Sequence, residues 1–182
     1  MENSEKKHII LGVTGGIAAY KSAMLCSTLA QNGYEVKVAM TENACEFVTP
    51  LTFRTLSRND VMTSLWEQQN WRPGHVALAE KADLMVVAPA TANFIGKLAN
   101  GIADDVLSTT AIAFYKKVLL APAMNTHMWR HPAVQKNCET LRSWDIEFVG
   151  PASGHLACGD VGEGRMVEVP EILAKINELM ND

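Results

Sequence analysis

The chain has 182 residues, of which 48% are hydrophobic and 20% are charged, and its formal net charge is −4. A globular chain of this length buries roughly 70% of its unfolded surface, and we predict one domain over residues 1–182. The lysines and arginines form no block, so non-specific nucleic-acid binding lacks an electrostatic basis. We therefore expect backbone N–H groups at helix N-termini to hold any phosphate.

The sequence also argues against a membrane or secreted protein. No stretch approaches 18 apolar residues, and the first seven residues are polar and charged, unlike a signal peptide. The cysteines form neither a CxxC pair nor a zinc spacing, and we predict a cytoplasmic protein with reduced thiols. They are Cys26, Cys45, Cys138 and Cys158.

Short apolar runs alternate with helical patterns along the chain. The predicted strands are His8–Thr14, Tyr34–Met40, Leu84–Ala88, Val118–Ala121 and Ile146–Val149. The predicted helices are Ile17–Gln31, one that opens at His75, Ala92–Asn100, Asp104–Phe114, Pro132–Trp144 and Pro170–Met180. Gly33 suits the end of the first helix, and Thr41 suits an N-cap. The alternation predicts an α/β fold, a doubly wound parallel sheet that is either Rossmann-like or flavodoxin-like.

Two regions break this pattern. Ser57–Gly74 is polar and aromatic, with Trp66 and Trp71, whereas Gly150–Arg165 carries five glycines and no periodicity. Long structureless segments in compact domains are usually functional or mobile, so we expect a functional loop at Gly150–Arg165. The alternative is a disordered surface loop.

The first strand leads into the helix through Gly12–Ser22, a glycine-rich turn. It is not a P-loop, because Tyr20 stands where glycine must precede Lys-Ser. It is not the dinucleotide fingerprint either, because the glycine spacing differs and no acidic residue ends the second strand. The turn either holds a mononucleotide phosphate or closes a tight connection.

Two apolar strands are followed by a proline and then by small or polar residues, in Asp83–Asn93 and Lys117–Asn125. Thr91 either caps the next helix or belongs to a segment that approaches a flat cofactor closely. Asn125 offers a donor and an acceptor just beyond a strand, where ligands bind in parallel α/β sheets. Its amide suits a carboxylate or the edge of a flavin.

Histidine and cysteine side chains supply the remaining candidates. His75 is either a packing residue or an acid–base group. His127 and His131 have the i, i+4 spacing of metal ligands, but no third ligand lies at a useful spacing, and we expect no metal. Cys158 lies in the glycine-rich loop and suits a mobile acid or nucleophile, whereas the other three cysteines lie in helical patterns.

Together these segments resemble the flavin-dependent cysteine decarboxylases. The resemblance runs from His8 to Met180 and rests on Gly12–Tyr20, Gly74-His75, Ala88–Asn93, Gly101–Asp105, Pro122–Asn125 and Leu156–Met166. It implies an FMN-binding protomer that assembles as a trimer or dodecamer, with the active site at a subunit interface. The residues that it places around FMN are Gly15, Gly16, Thr41, Ala90, Thr91, Ala92, Asn93 and Met124. The catalytic residues that it implies are His75, Asn125 and Cys158.

The chemistry implied by the resemblance is a decarboxylation without net oxidation. FMN would first oxidise the carbon beside the thiol, giving a thioaldehyde that accepts the electrons left by CO₂. His75 would assist thiol deprotonation or polarise the reacting groups, and Asn125 would orient the carboxylate. Cys158 would then protonate the resulting enethiol while reduced FMN returns the hydride.

The cysteine-containing loop favours the branch of this family that converts 4′-phosphopantothenoylcysteine to 4′-phosphopantetheine in coenzyme A biosynthesis. The alternatives are a peptide-cysteine decarboxylase, a prenyl-flavin-forming transferase, a non-catalytic phosphatase-regulatory subunit and an electron carrier. Many relatives continue into a phosphopantothenate–cysteine ligase domain, so we expect that ligase as a separate or fused partner. Lys21, Lys97 and Arg165 are unranked candidates for the substrate phosphate.

Overall fold

A parallel sheet of six strands forms the centre of the computed structural model, which describes residues 6–66, 74–157 and 159–181. The strands are β1 (His8–Val13), β2 (Glu35–Met40), β3 (Val61–Met62), β4 (Leu84–Ala90), β5 (Lys117–Pro122) and β6 (Glu147–Phe148). Their order is β3-β2-β1-β4-β5-β6, which is the Rossmann order and not the flavodoxin order. The predicted α/β fold is confirmed, and the Rossmann alternative is the correct one.

Helices cover both faces of the sheet. They are α1 (Ala19–Gln31), α2 (Glu42–Cys45), α3 (Pro50–Ser57), α4 (Gly74–Lys81), α5 (Ala92–Ala99), α6 (Val106–Ala113), α7 (Thr126–Trp129), α8 (Pro132–Arg142) and α9 (Val169–Asn181). Thr41 accepts a hydrogen bond from the Ala44 N–H as the N-cap of α2, as predicted. Gly33 follows α1 with φ +89°, a conformation that suits glycine.

The side chains of the central strands alternate between two cores. In β1, Ile9 and Leu11 pack on the side of α1 and α9, whereas Ile10 packs on the side of α5 and α6. All three side chains are fully buried. This burial on both faces explains why the strand reads as a continuous apolar run rather than an alternating one.

The two prolines expected after strands belong to those strands. β4 runs on through Pro89 to Ala90, whereas β5 ends with Pro122. The register between β4 and β5 shifts between Val87 and Ala90, where Pro89 has no N–H to donate to the ladder. The strand prediction Leu84–Ala88 was therefore two residues too short.

The prediction of a structureless Gly150–Arg165 loop was wrong. This segment forms an antiparallel hairpin of β7 (Ala152–His155) and β8 (Val161–Arg165). Its strands lack apolar alternation because Gly164 alone among their residues is buried and because they contain glycines with positive φ, at +156° for Gly154 and +131° for Gly164. Neither hydrophobic periodicity nor strand propensity therefore marks them in the sequence.

The other irregular region contains the short edge strand β3, which the sequence did not reveal because it has only two residues. Trp66 is exposed, whereas Trp71 lies outside the described residues. Within the described ranges, no helix is long and apolar enough to cross a membrane.

Candidate active site

A cavity of about 1020 Å³ opens at the carboxyl ends of β1, β4 and β5. The strand order reverses between β1 and β4, and this reversal creates the crevice in which ligands bind in doubly wound sheets. Most of the predicted site residues line the cavity, namely Gly15, Gly16, Thr41, Thr91, Ala92, Asn93, Met124 and Asn125.

The turn after β1 forms one wall of the cavity. A Cβ on Gly15 would lie 2.4 Å from the Asn43 Cβ, so close packing of two loops already requires glycine there. A Cβ on Gly16 would meet only Thr91, at 3.6 Å. α1 begins just beyond with no side-chain cap, and its Ala19 and Lys21 N–H groups donate to the Gly16 and Ala18 carbonyls. The positive end of this helix therefore faces the cavity without a capping side chain.

The Thr14 hydroxyl, which sequence reasoning missed, joins two of the cavity turns. It is almost fully buried, donates to the Pro89 carbonyl at 2.7 Å and accepts from the Thr91 N–H at 3.2 Å. Ser22 adds a second buried bond to the same connection, from its hydroxyl to the Ala88 carbonyl. These bonds hold the β4–α5 turn against the β1–α1 turn. The only sequence signal was a threonine at the end of an apolar strand.

The β4–α5 turn supplies the next wall. Thr91 caps α5 by accepting from the Phe94 N–H at 3.4 Å, which confirms the capping interpretation. It also lines the cavity, and its contact with a cofactor stays a prediction. Ala90 is fully buried as the last residue of β4 and is not a lining residue. Its contact with a cofactor stays a prediction.

Asn125 follows β5 and caps α7. Its Oδ1 accepts from the His127 N–H at 2.8 Å, which leaves the Nδ2 group directed towards the hairpin. There Nδ2 lies 3.5 Å from Oδ2 of Asp160. The cap fixes the orientation of the amide, so its donor side and not its acceptor side is presented to a carboxylate.

The hairpin packs on the segment that contains Asn125. The Met124 N–H donates to the Gly164 carbonyl at 2.9 Å, and a Cβ on Gly164 would lie 2.2 Å from the Met124 oxygen. A Cβ on Gly162 would lie 2.5 Å from the Thr126 hydroxyl oxygen, which is buried without a hydrogen-bond partner among the described residues. Two glycines therefore allow the hairpin to lie directly on this segment.

Lys97 lies at another side of the cavity between two carboxylates. Its Nζ is 2.6 Å from Asp104 Oδ1 and 2.8 Å from Asp105 Oδ2. Burial alone would lower the pKa of Lys97, but its bonds to Asp104 and Asp105 outweigh this effect and raise it. Burial alone would raise the pKa of Asp105, but the hydrogen bonds from Lys97 and Ser108 outweigh this effect and lower it. The group carries a formal charge of −1 and is unsuited to bind a further anion.

Lys21 and Arg165 share a single carboxylate, that of Glu168. The distances to its Oε1 are 2.8 Å from Lys21 Nζ and 3.4 Å from Arg165 Nη1. The hydrogen bond from Lys21 is the main cause that lowers the pKa of Glu168. This group carries a formal charge of +1, the opposite sign to the group around Lys97.

Two of the predicted catalytic residues have no described side chain. His75 belongs to the first turn of α4, whose backbone alone is described there, and Cys158 lies outside the described residues. Their roles stay predictions.

A structural interpretation fits His131 and Cys26. His131 caps α8 by accepting from the Ala133 N–H at 3.2 Å, and no group of three potential metal ligands occurs in the described part of the chain. Burial raises the pKa of Cys26 to about 12, which leaves its thiol protonated and unreactive.

Comparison with known proteins identifies the family. The flavoprotein family model matches residues 1–181. The chain belongs to the flavoprotein family. It is 42% identical over 175 residues to the probable phosphopantothenoylcysteine decarboxylase of Streptococcus mutans, covering 94% of this chain and 98% of that protein. The predicted family is thereby confirmed.

Other relatives of this flavoprotein are longer. The coenzyme A biosynthesis bifunctional protein CoaBC of Bacillus subtilis is 53% identical over 173 residues, which are 94% of this chain but 42% of that protein. The chain thus spans less than half the length of the bifunctional relatives that it matches.

Solved structures resemble this flavoprotein over nearly its whole length. A mutant PPC decarboxylase complexed with pantothenoylaminoethenethiol has a TM-score of 0.87 at 29% identity, covering 98% of this chain and 100% of that one. The FMN-dependent cysteine decarboxylase SpaF has a TM-score of 0.84 at 29% identity, covering 98% and 97%.

The cavity of this flavoprotein fits a flavin nucleotide. Gly16 and Ala92 leave open space for a flat ring, and the uncapped start of α1 presents its positive helix end to a phosphate. α2 and α5 also begin at the cavity, so their positive helix ends face the same space. The donors are mostly neutral, as suits a ligand held by backbone groups and hydroxyls.

Proposed function

We propose that this chain catalyses the FMN-dependent decarboxylation of 4′-phosphopantothenoylcysteine to 4′-phosphopantetheine and CO₂. The observation that carries the proposal is the position of Asn125, whose amide lies in the same cavity as the two turns that suit a flavin. The names of the Streptococcus mutans relative and of the PPC decarboxylase structure support the same reaction. Residues 1–182 would act as one FMN-binding decarboxylase domain.

FMN would be held by the turns around Gly15-Gly16, Thr41 and Ala90–Asn93, with Met124 on the hairpin side. When bound, it would supply reversible hydride acceptance, so that the carbon beside the substrate thiol is oxidised before CO₂ leaves and reduced afterwards. The Thr14 hydroxyl keeps two of these turns in register. A preorganised pocket lowers the entropy lost on cofactor binding.

Asn125 would orient the carboxylate that is lost. Its Nδ2 already faces the carboxylate of Asp160, which supports the idea that a carboxylate fits at this atom. The substrate carboxylate would take that position, held by a neutral donor. A neutral amide is suited to this role because it binds the carboxylate without stabilising its charge as strongly as a cation would, and so does not oppose CO₂ loss.

His75 and Cys158 complete the proposed catalytic set. The α4 helix leads back to β4, so its first turn, with His75, lies at the carboxyl edge of the sheet. His75 would assist thiol deprotonation, and Cys158 would protonate the enethiol. Because the family resemblance implies an active site at a subunit interface, we infer that His75 acts in the site of a neighbouring subunit.

An exposed apolar surface beside the cavity supports assembly into a trimer or a multiple of trimers. On α1 and the turn before it, Ile17, Tyr20 and Met24 follow helical spacing and are each between 55% and 59% exposed. Ile17 and Tyr20 also line the cavity. A second copy packed there would bury apolar surface and enclose the ligand at once.

The proposed setting is the cytoplasm. Cys26, Cys45 and Cys138 form no disulfide with one another, as is usual in a reducing compartment. The substrate would come from a ligase that joins cysteine to phosphopantothenate, either as a separate protein or in the same polypeptide as in bifunctional relatives.

The test is a spectrum together with a product analysis. We expect the purified protein to be yellow, to release FMN on denaturation and to release CO₂ from 4′-phosphopantothenoylcysteine. A colourless protein that FMN does not reconstitute would contradict the proposal. Light scattering on the same sample should give a multiple of three subunits.

A Cys158→Ser variant separates this reaction from that of a peptide-cysteine decarboxylase. We expect one equivalent of CO₂ per bound FMN, together with the enethiol, which is lighter than the normal product by two hydrogens. The flavin then stays reduced, and further turnover needs dioxygen to reoxidise it. Mass spectrometry distinguishes the two products. Normal thiol product from this variant would remove the proposed role of Cys158, and an enethiol from the wild-type protein would favour the peptide-cysteine alternative.

A further inference from the structure

Three permanently cationic side chains line the described part of the cavity, namely Lys21, Lys97 and Arg165. They differ in how far their charge is neutralised. The two carboxylates around Lys97 leave a net negative group, whereas Lys21 and Arg165 together face only Glu168. A ligand with two negative charges is therefore attracted to the Lys21–Arg165 pair and repelled by the group around Lys97.

The hydrogen-bonding capacity of the pair is also incompletely used. Arg165 Nε is buried and has no hydrogen-bond partner among the described residues. The Arg165 contact with Glu168 is long, at 3.4 Å, and so is the bond from Lys21 Nζ to the Met166 carbonyl. A guanidinium has five N–H donors in a planar fork that matches phosphate oxygens.

Lys21 is held in place for such a ligand. Only 8% of the residue is exposed, so its ammonium is fixed at the cavity wall rather than moving freely in solvent. Glu168 is half-exposed and can turn towards solvent when a stronger anion approaches. In its present position it balances part of the charge of the two cations and prevents their mutual repulsion.

We propose that Lys21 and Arg165 bind the phosphate monoester of the substrate and so select the phosphorylated cysteine conjugate over the unphosphorylated one. This inference rests on the proposed function. The substrate, rather than the cofactor, is favoured because Arg165 follows Gly164, whose carbonyl is bonded to the segment of Asn125. The cofactor phosphate has its own place at the start of α1, where no side chain caps the positive end of the helix.

Binding without turnover provides the decisive test. FMN-loaded protein is titrated with 4′-phosphopantothenate and with pantothenate, neither of which carries a carboxylated cysteine that could react. We expect the wild-type protein to prefer the phosphorylated ligand. Arg165→Gln should reduce that preference by about 10- to 100-fold, as expected for a charge-assisted hydrogen bond, while binding of pantothenate stays unchanged.

Three further variants make the comparison specific. Lys21→Met should reduce the same preference, and Arg165→Lys should recover part of it by restoring the charge without the fork. Arg130→Gln is the matched control, because Arg130 faces Glu163 of the same hairpin at 3.5 Å but does not line the cavity. It should keep the wild-type preference. Arg165 is half-exposed, so Arg165→Gln remains informative even if Lys21→Met does not fold.

The cofactor is tested separately with FMN and riboflavin on the apoprotein. Arg165→Gln should leave the ratio of their dissociation constants unchanged. If Arg165→Gln instead loses the preference for FMN over riboflavin and retains the preference for phosphopantothenate, the pair belongs to the cofactor phosphate and the proposal is overturned. If Arg165→Gln and Lys21→Met both keep the wild-type preference for phosphopantothenate over pantothenate, the proposal is overturned too.

Failure of the proposed function has a different signature. If the wild-type protein releases no CO₂ from the cysteine conjugate yet still prefers phosphopantothenate through Arg165, the binding site stands and the reaction does not. If the wild-type protein decarboxylates the phosphorylated and unphosphorylated conjugates with equal kcat/KM, the reaction stands and the phosphate site is wrong.

Discussion

The two sides of the cavity are built in different ways. On one side, the turns after β1 and β4 are joined by the buried Thr14 hydroxyl and lie on strands that are buried on both faces. On the other side, Gly164 alone is buried among the strand residues of the β7–β8 hairpin. The hairpin packs closely on the Met124–Thr126 segment because its contacting residues are glycines, which have no side chain to hold the two segments apart. The first side is part of the core, whereas the second is packed on top of it.

This difference suits the two ligands that the site would hold. A cofactor that remains bound gains from a wall fixed by core packing, because little entropy is lost on binding. A substrate that must enter and leave needs a wall that can shift without unfolding the domain. Asn125 lies where the two sides meet, capping α7 on one side and facing Asp160 on the other.

The largest effect is expected from Asn125→Asp at this junction. Aspartate is as good an N-cap as asparagine, so α7 should stay folded. Its negative charge would face the substrate carboxylate, and we expect CO₂ release to fall by on the order of 100-fold or more, equivalent to about 3 kcal/mol in the barrier.

The control for this variant is its flavin spectrum, which should match that of the wild-type protein, whereas its unfolding midpoint should fall slightly because the new carboxylate also faces Asp160. Unchanged turnover would show that the carboxylate does not lie at Asn125, and the two sides of the cavity would then no longer meet at the reacting group.

A smaller effect is expected from Gly164→Ala in the hairpin. The new Cβ would meet the Met124 carbonyl oxygen, and φ is +131° there, so we expect a loss of about 2 to 4 kcal/mol in the free energy of unfolding. Urea unfolding of the apoprotein measures it.

Gly159→Ala is the matched control in the same hairpin. Gly159 also has a positive φ, at +92°, but a Cβ there would meet nothing within 4 Å. We expect this variant to lose about 1 kcal/mol from backbone strain alone. Equal losses in the two variants would mean that the hairpin does not depend on close packing against Met124.

The smallest effect is expected from Thr14→Val on the core side. Valine keeps the shape but leaves the Pro89 carbonyl and the Thr91 N–H without their partner, at a cost of about 1 to 3 kcal/mol in the free energy of unfolding. FMN affinity should fall as well, since both turns contact the same cavity.

Thr14→Ser keeps the hydroxyl and serves as the comparison for Thr14→Val. It should retain most of the FMN affinity when both are measured by quenching of flavin fluorescence. If valine and serine bind FMN equally well, the hydroxyl does not organise the cofactor side, and the contrast between a fixed and a movable wall loses its basis.

The sequence predicted the core side of the site better than the hairpin side. Long apolar strands such as β1 and β4, and caps such as Thr41 and Thr91, carry local signals that survive in the fold. The hairpin carries no such signal, because glycine has a low strand propensity. The glycines with positive φ belong to strands here only because they allow close contacts with other parts of the chain. The pairing of Ala152–His155 with Val161–Arg165 was therefore not predicted.

The cations show the same limit. Lys21, Lys97 and Arg165 were equivalent in the sequence, because charge alone does not reveal which carboxylates will lie nearby. Lys97 is near Asp104 and Asp105 in the sequence, so its ion pairs with these two residues could have been predicted. Glu168 approaches Lys21 from 147 positions away, which only the packing of α1 against the start of α9 brings about.

By itself, the sequence determined the α/β class, the order of most elements and the family, because hydrophobic periodicity, capping residues and short motifs are local properties of the chain. Only the tertiary structure decided the strand order, the hairpin, and the carboxylates that face each cation. These depend on contacts between residues far apart in the chain, whose energies no local pattern encodes.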